Sequence, residues 1–369
     1  MTRRTGRRPA GRPVRSAPWR DGAAAVLAGL LACGVLLAGC TGDASEDPTP
    51  VPSQDPVTAA ADAATAWLAG FAAEATARLE AGRSPDGRGI GDHGPTRDVL
   101  LALVATGQDA AVGPLAAALA EPAHVDAHLG DGEHLRLGGS TAELAAALTA
   151  AGHDPRAVGG LDLVAEVRAL VGKDGRVGDR GVHGHTQTAG QAWSVVVLTR
   201  AGVPEADAVT GALTDLQCDD GSFPASPDDE QCVGDVEATS LAIVALQTRE
   251  PSAPEATAAR DWLLSQATPT EVDGAELVAW QAADDTGLSV VSTALAVLAL
   301  TELEPTAAVP GMDIECRTLR PAREWLAAQA VTRGDDAGAL AVDQVADPRA
   351  TAWGAMALSG TRLTTVLDG

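Results

Sequence analysis

The chain has 369 residues, of which 26 are basic and 50 acidic, for a formal net charge of −24. So acidic a surface repels nucleic acid and anionic lipid headgroups, which excludes functions built on binding polyanions. Seven Trp, two Phe and no Tyr leave little aromatic surface, and the abundant small residues let helices approach closely.

The first 22 residues hold seven arginines and one acid, and residues 23–39 are apolar or small throughout. That run is short for a membrane span of about 20 residues and suits the core of a signal peptide. It ends in Leu37-Ala38-Gly39-Cys40, which resembles the lipobox of bacterial lipoproteins. The resemblance implies that Cys40 becomes the lipidated first residue; an ordinary secretory signal is the alternative. Arg3-Arg4 and Arg7-Arg8 hint at twin-arginine export, although no Phe-Leu follows. The expected organisation is a signal peptide over 1–39, a disordered Asp/Glu/Pro/Ser/Thr tether over 40–56 and a folded domain over 57–369. The protein is expected on the extracytoplasmic face of the cell membrane, anchored by lipid on Cys40. Removing residues 1–39 leaves 19 basic against 49 acidic residues, a net charge of −30.

The folded part carries a six-fold repeat. Marker threonines stand at 96, 141, 188, 239, 293 and 351, spaced by 45 to 58 residues, close to the helical-pair repeats. In the fourth copy, Asp207 to Gln217 places Val209, Ala212, Leu213 and Leu216 on one stripe, so one helix face is wet. A turn with Gly221 follows. Asp235 to Gln247 is then acidic in its first turn, which suits the helix dipole, and apolar on every face afterwards. The half-wet phrase recurs at Trp67-Leu68, Ala259–Gln266 and Ala322–Gln329, and the dry one at Gln191–Leu198, Val290–Leu300 and Ala352–Leu358. A helix apolar all round must be covered on all sides. The expected fold is therefore all-α, a closed α/α toroid of six helical hairpins with an outer amphipathic and an inner buried layer, as a monomer. An open solenoid is the alternative.

Cys218 and Cys232 flank a loop, with no His or second Cys beside either, so a disulfide is expected in an exported protein. Cys316 reads as a buried apolar residue. All seven histidines fall between 93 and 185. His124 and His128, near Asp126, Asp131, Glu133 and His134, could share a metal on a helix face. Gly130 and Gly132 favour a polar loop there instead. No metal site is expected.

In such a ring the N-termini of the buried helices would surround one mouth, with unpaired N–H groups. Polar residues cluster at those positions: Asp98, Ser140, Glu143, Gln187, Gln191, Asp235, Glu237, Ser292 and Thr351. Most read as caps. Gln191 lies one turn inside an otherwise apolar helix beside Trp193, as in a small-molecule site. The candidate ligand-binding set is His183, His185, Gln187, Gln191, Trp193, Phe223, Asp235 and Glu237.

Gln217-Cys-Asp-Asp-Gly-Ser-Phe223, followed by a helix opening Glu237-Ala-Thr-Ser240, resembles the repeat of the terpenoid cyclase and protein prenyltransferase toroid family. Gly190-Gln191-Ala192-Trp193 and Gly159-Gly160-Leu161-Asp162-Leu163 resemble the actinobacterial lipoprotein branch of prenyltransferase/squalene oxidase repeat proteins. The resemblance spans about residues 60–360 and implies the toroid; that fold hosts several functions. Triterpene cyclases of the family use an Asp-x-Asp-Asp acid and aromatic walls for cation–π stabilisation. Asp228-Asp229, Asp284-Asp285 and Asp335-Asp336 lack the earlier aspartate. The prenyltransferases hold zinc with Asp, Cys and His, and no His follows residue 185 here. The family's ligand-binding members include cobalamin carriers, whose toroid is capped by a β domain. The expectation is a non-catalytic toroid that binds a small ligand, possible corrinoid-like molecules included, or docks a capping partner protein, with no cofactor. The alternatives are an exported terpene cyclase or prenyltransferase-like enzyme and a carbohydrate-active barrel, in which two carboxylates would flank the sugar bond.

Overall fold

The computed structural model describes residues 54–85, 93–181, 184–228, 230–282, 287–303 and 314–368. Cys40, the expected signal peptide and most of the tether lie outside them, as does His183. Asp55 caps the first helix by accepting from the Thr58 N–H, and Pro56 begins it, so the end of the expected tether belongs to the fold.

Helices follow in half-wet and dry pairs. The first pair is α1 (Pro56–Glu80) and α2 (Gly94–Ala105); the second is α3 (Asp109–Leu119) and, after the short α4 (Pro122–Leu129), α5 (Gly138–Ala150). Then come α6 (Leu163–Ala169) with α7 (Thr188–Arg200), α8 (Glu205–Thr214) with α9 (Val236–Arg249), and α10 (Pro254–Gln266) with α11 (Val290–Leu303). A π-helical turn over Glu315–Leu319 leads into α12 (Arg320–Ala328), which precedes α13 (Pro348–Leu358) and the short α14 (Leu363–Val366). The burial follows the sequence pattern. In α8 the stripe Ala206, Val209, Ala212 and Leu213 is buried, whereas α9 is buried from Ala238 through Leu246. The dry helices pack in sequence: α2 against α5, α5 against α7, α7 against α9, α9 against α11, α11 against α13 and α13 against α2.

The fold is mostly helical, and the all-helical expectation needs correction. Thr268–Val272 (β1), Ala275–Gln281 (β2) and Leu288–Ser289 (β3) form an antiparallel sheet in the order β1-β2-β3, and Ala341–Val342 (β4) pairs with Val345–Ala346 (β5). The cause is local. Asp273-Gly274 takes positive φ at both positions (51° and 82°), as a two-residue hairpin turn requires. Trp280 sits in β2, fully buried, and donates from Nε1 to the Leu263 carbonyl at 2.8 Å.

In the last three copies the repeated threonine is a latch between the turn and the dry helix that follows it. Thr239 Oγ1 accepts from the Phe223 N–H, Thr293 Oγ1 from Trp280 and Thr351 Oγ1 from Leu340, each at 2.9 Å. Each threonine is the fourth residue of its helix. In α7 the fourth residue is Gln191, and its Oε1 accepts from the Val177 N–H at 2.9 Å. Position 191, not Thr188, is therefore the structural equivalent; the Thr188 hydroxyl is buried without a hydrogen-bond partner. The turn before α9 is closed by Gly221 (φ 92°), where a Cβ would stand 2.7 Å from the Ala258 carbonyl oxygen. The Cys218–Cys232 disulfide is present, with Cα atoms 5.6 Å apart.

After α13 the chain turns back, and α14 packs against α2, α9 and α11. Leu363 and Leu367 are buried there. Among the described residues, no helix is long and apolar enough to cross a membrane.

Candidate functional site

The first two turns of the dry helices converge on one cavity of about 310 Å³. α2 contributes Arg97 and Asp98, α5 Glu143, α7 Trp193, α9 Glu237 and Leu241, α11 Leu295, and α13 Arg349 and Trp353; Gln187 and Asp235 enter from the N-cap positions of α7 and α9. The four apolar members, Trp193, Leu241, Leu295 and Trp353, are buried.

Around them runs a charged network. Arg97 pairs with Glu143 at 2.5 Å and with Asp98 at 3.2 Å. Arg349 pairs with Glu237 at 2.8 Å and approaches Asp98 at 3.7 Å. Trp353 Nε1 donates to Asp98 at 3.2 Å, and Ser292 Oγ donates to Glu237 at 3.3 Å. Burial disfavours both guanidinium charges, yet the facing carboxylates outweigh it and hold both arginines more firmly protonated than usual. Asp235 behaves differently. It caps α9 by accepting from the Ala238 N–H at 2.7 Å, and burial, reinforced by Glu237, pushes its carboxyl up.

Of the expected site residues, Gln187, Trp193, Asp235 and Glu237 come together at this cavity. Gln191 and Phe223 do not line it. The Gln191 amide is fully engaged, donating to the Gly175 and Val209 carbonyls at 3.0 and 2.9 Å besides holding Val177. Phe223 is fully buried and serves the latch through its backbone. His185 bridges antiparallel to Gly178, outside the cavity, and its Nδ1 meets Asp228 at 2.8 Å. Arg97, Arg349 and Trp353 complete the site without having been singled out by sequence. The two arginines did leave a signal: a cation in the first turns of a dry helix opposes the helix dipole and calls for a facing carboxylate.

His124 and His128 stand on α4, not in a polar loop, because Pro122 starts a helix that Gly130, at φ 91°, ends. The rings of His124 and His128 lie 6.0 and 5.5 Å from that of His93. Burial, with Arg97 and His93 nearby, pushes His128 down to about 3, so its imidazole is neutral and can accept from Arg97 at 3.5 Å. Among the described residues, no group of three or more His, Cys, Asp or Glu could hold a metal ion.

No family model and no curated protein matches the chain. Solved structures do. A protein from Actinoplanes aligns at 17% identity over 72% of this chain and 89% of its own, with a TM-score of 0.50. That likeness concerns the fold alone. ent-Copalyl diphosphate synthase from Streptomyces platensis aligns at 22% identity over 72% of this chain and 50% of its own, with a TM-score of 0.47. Unsaturated glucuronyl hydrolase from Bacillus sp. GL1 aligns at 12% identity over 71% and 83%, also at 0.47. Scores at that level carry no argument about activity.

Proposed function

We propose that the chain is a lipid-anchored extracytoplasmic protein whose six hairpins close into an α/α toroid, and that the toroid binds a small ligand at one mouth without catalysis. The closure is supported by the packing of α13 back on α2. The observation that carries the binding reading is the single cavity into which the first two turns of all six dry helices project. Its volume lies at the lower end of the roughly 300–1,000 Å³ of small-molecule pockets. A corrin macrocycle exceeds that space and would need a capping partner to hold it. Asp98, Glu143 and Glu237 are each paired with a guanidinium.

Native mass spectrometry of the mature chain with a metabolite panel, read beside Trp fluorescence, tests the binding. Retention of a ligand with quenching of Trp193 or Trp353 supports it; no retained mass and no fluorescence change would sink it. Turnover of a prenyl diphosphate, lost on Glu237→Gln, would revive the enzymatic alternative. Anchoring is tested separately: Cys40→Ala should move the protein from the membrane fraction to the medium.

A second reading, docking of a protein partner, rests on four exposed apolar side chains in the segments that lead into the dry helices. Val233 precedes α9, Leu288 precedes α11, and Val342 and Val345 precede α13. Val233→Asp with Val345→Asp should abolish capture of that partner while leaving small-ligand binding intact.

A further inference from the structure

The mouth cavity carries four carboxylates, Asp98, Glu143, Asp235 and Glu237, against two guanidiniums, Arg97 and Arg349. Three of the carboxylates are within 4 Å of a guanidinium: Glu143 and Asp98 meet Arg97, and Glu237 meets Arg349. Asp235 is the exception. It is 9% exposed and lines the cavity, and the bond that holds its carboxylate comes from the Ala238 N–H at the start of its own helix. No side chain among the described residues forms an ion pair with it. A buried carboxylate without a contacting counter-charge is costly to ionise; Glu237, two residues on, adds repulsion, which the more distant Arg349 only partly offsets. The walls beside it are indoles. Trp193 and Trp353 line the same space, and the electron-rich face of an indole attracts a cation.

We propose that the mouth cavity takes a small organic cation, its ammonium group set against Asp235 and its apolar body against Trp193 and Trp353. This rests on the small-ligand reading above and narrows it to one chemical class. An anion would meet an excess of carboxylates. A neutral polar molecule would leave Asp235 without a contacting counter-charge. An inorganic cation would need converging ligands that the described residues do not supply and would make no use of the indoles. A space of about 310 Å³, at the lower end of small-molecule pockets, suits a compact amine and not a macrocycle.

The test uses isosteric probes on the mature chain, followed by calorimetry and Trp fluorescence. Choline is compared with its neutral isostere 3,3-dimethylbutan-1-ol and with the anion 3,3-dimethylbutanoate; n-butylammonium is compared with butan-1-ol. The cations are expected to bind at least about tenfold more tightly than their neutral partners, as one charge-assisted contact allows, and the anion to bind weakest. In Asp235→Asn the amide oxygen still caps Ala238, so the fold should survive, as circular dichroism checks, and the preference for cations should fall to about threefold or less. Equal or tighter binding of the neutral probes overturns the cation assignment and leaves the small-ligand reading standing. A cation preference that persists in Asp235→Asn overturns the role of Asp235. Absence of binding by both cations overturns the assignment too, and the metabolite panel then decides the broader reading alone.

Discussion

At their C-terminal ends the dry helices α2, α9 and α11 are crossed by α14, which sets Leu363 and Leu367 in the core. Charged groups there fasten chain to chain. Arg200 pairs with Asp368 and donates to the Thr364 carbonyl at 2.9 Å, while Glu302 accepts from Thr364 through both N–H and hydroxyl, at 3.0 and 2.6 Å. At the N-terminal ends a comparable set of charges faces a cavity, and no segment among the described residues fills it. On the C-terminal side α14 thus covers three of the dry helices and leaves beside it a cavity of about 290 Å³, lined by Ala146, Arg200 and Leu367, whereas on the N-terminal side all six helices reach the charged space. Ion pairs that bind two segments together serve rigidity; ion pairs that line a space leave surface for recognition. The plugged end should therefore answer to mutation in stability and the open end in binding.

Removing the plug gives the largest effect. Leu363→Ala and Leu367→Ala should each cost roughly 2–5 kcal/mol, the range for a fully buried leucine, measured by denaturant unfolding, with ligand affinity of the folded fraction unchanged. If the affinity falls instead, the two ends are coupled and the division fails. The latch comes next. Thr239→Val keeps the shape but leaves the buried Phe223 N–H without its acceptor, at a cost of about 1–3 kcal/mol. An equal loss in Thr293→Val would mark the latch as a property of the repeat and not of one hairpin.

Acid sharpens the comparison from the side of the open end. His128 is pushed down from 6.5 to about 3 in the fold, so the unfolded chain takes up its proton first. Its contribution to stability is complete above about pH 6.5 and is lost as pH falls towards 3, with a slope of at most about 1.4 kcal/mol per pH unit for one proton. His128→Gln should flatten that part of the stability profile. A profile unchanged by the substitution would mean that His128 takes up its proton alike in the folded and the unfolded chain.

The fold was readable because it repeats a local pattern: an amphipathic stripe, a Gly turn, a cap, a dry helix. The strands left one signal, the Asp273-Gly274 turn, which the all-helical reading passed over. Gln191 shows the limit of reading chemistry from residue type. A lone amide in a dry helix suggests a ligand, and it instead replaces a threonine hydroxyl in the latch. Trp353 and Asp98, 255 residues apart and joined at 3.2 Å, leave no local trace at all. The site is made of such distant pairs, which explains why the half supplied by helix caps was foreseeable and the half supplied by Arg97, Arg349 and Trp353 was not.

The smallest expected effect tests the open end most directly. Because burial raises the Asp235 carboxyl, the folded chain binds that proton more tightly than the unfolded one. Its contribution favours the fold at low pH and is lost as pH rises through the raised value. Asp235→Asn keeps the cap and removes that loss, so the variant should be slightly more stable than the parent at pH 7 and equal to it at low pH, where the carboxyl is neutral in both states. A site that gains stability when its charge is removed is keeping that charge for something other than folding. Loss of stability at pH 7 would place Asp235 with Arg200 and Glu302 among the fastenings, and the carboxylate at the mouth would then need no ligand to explain it.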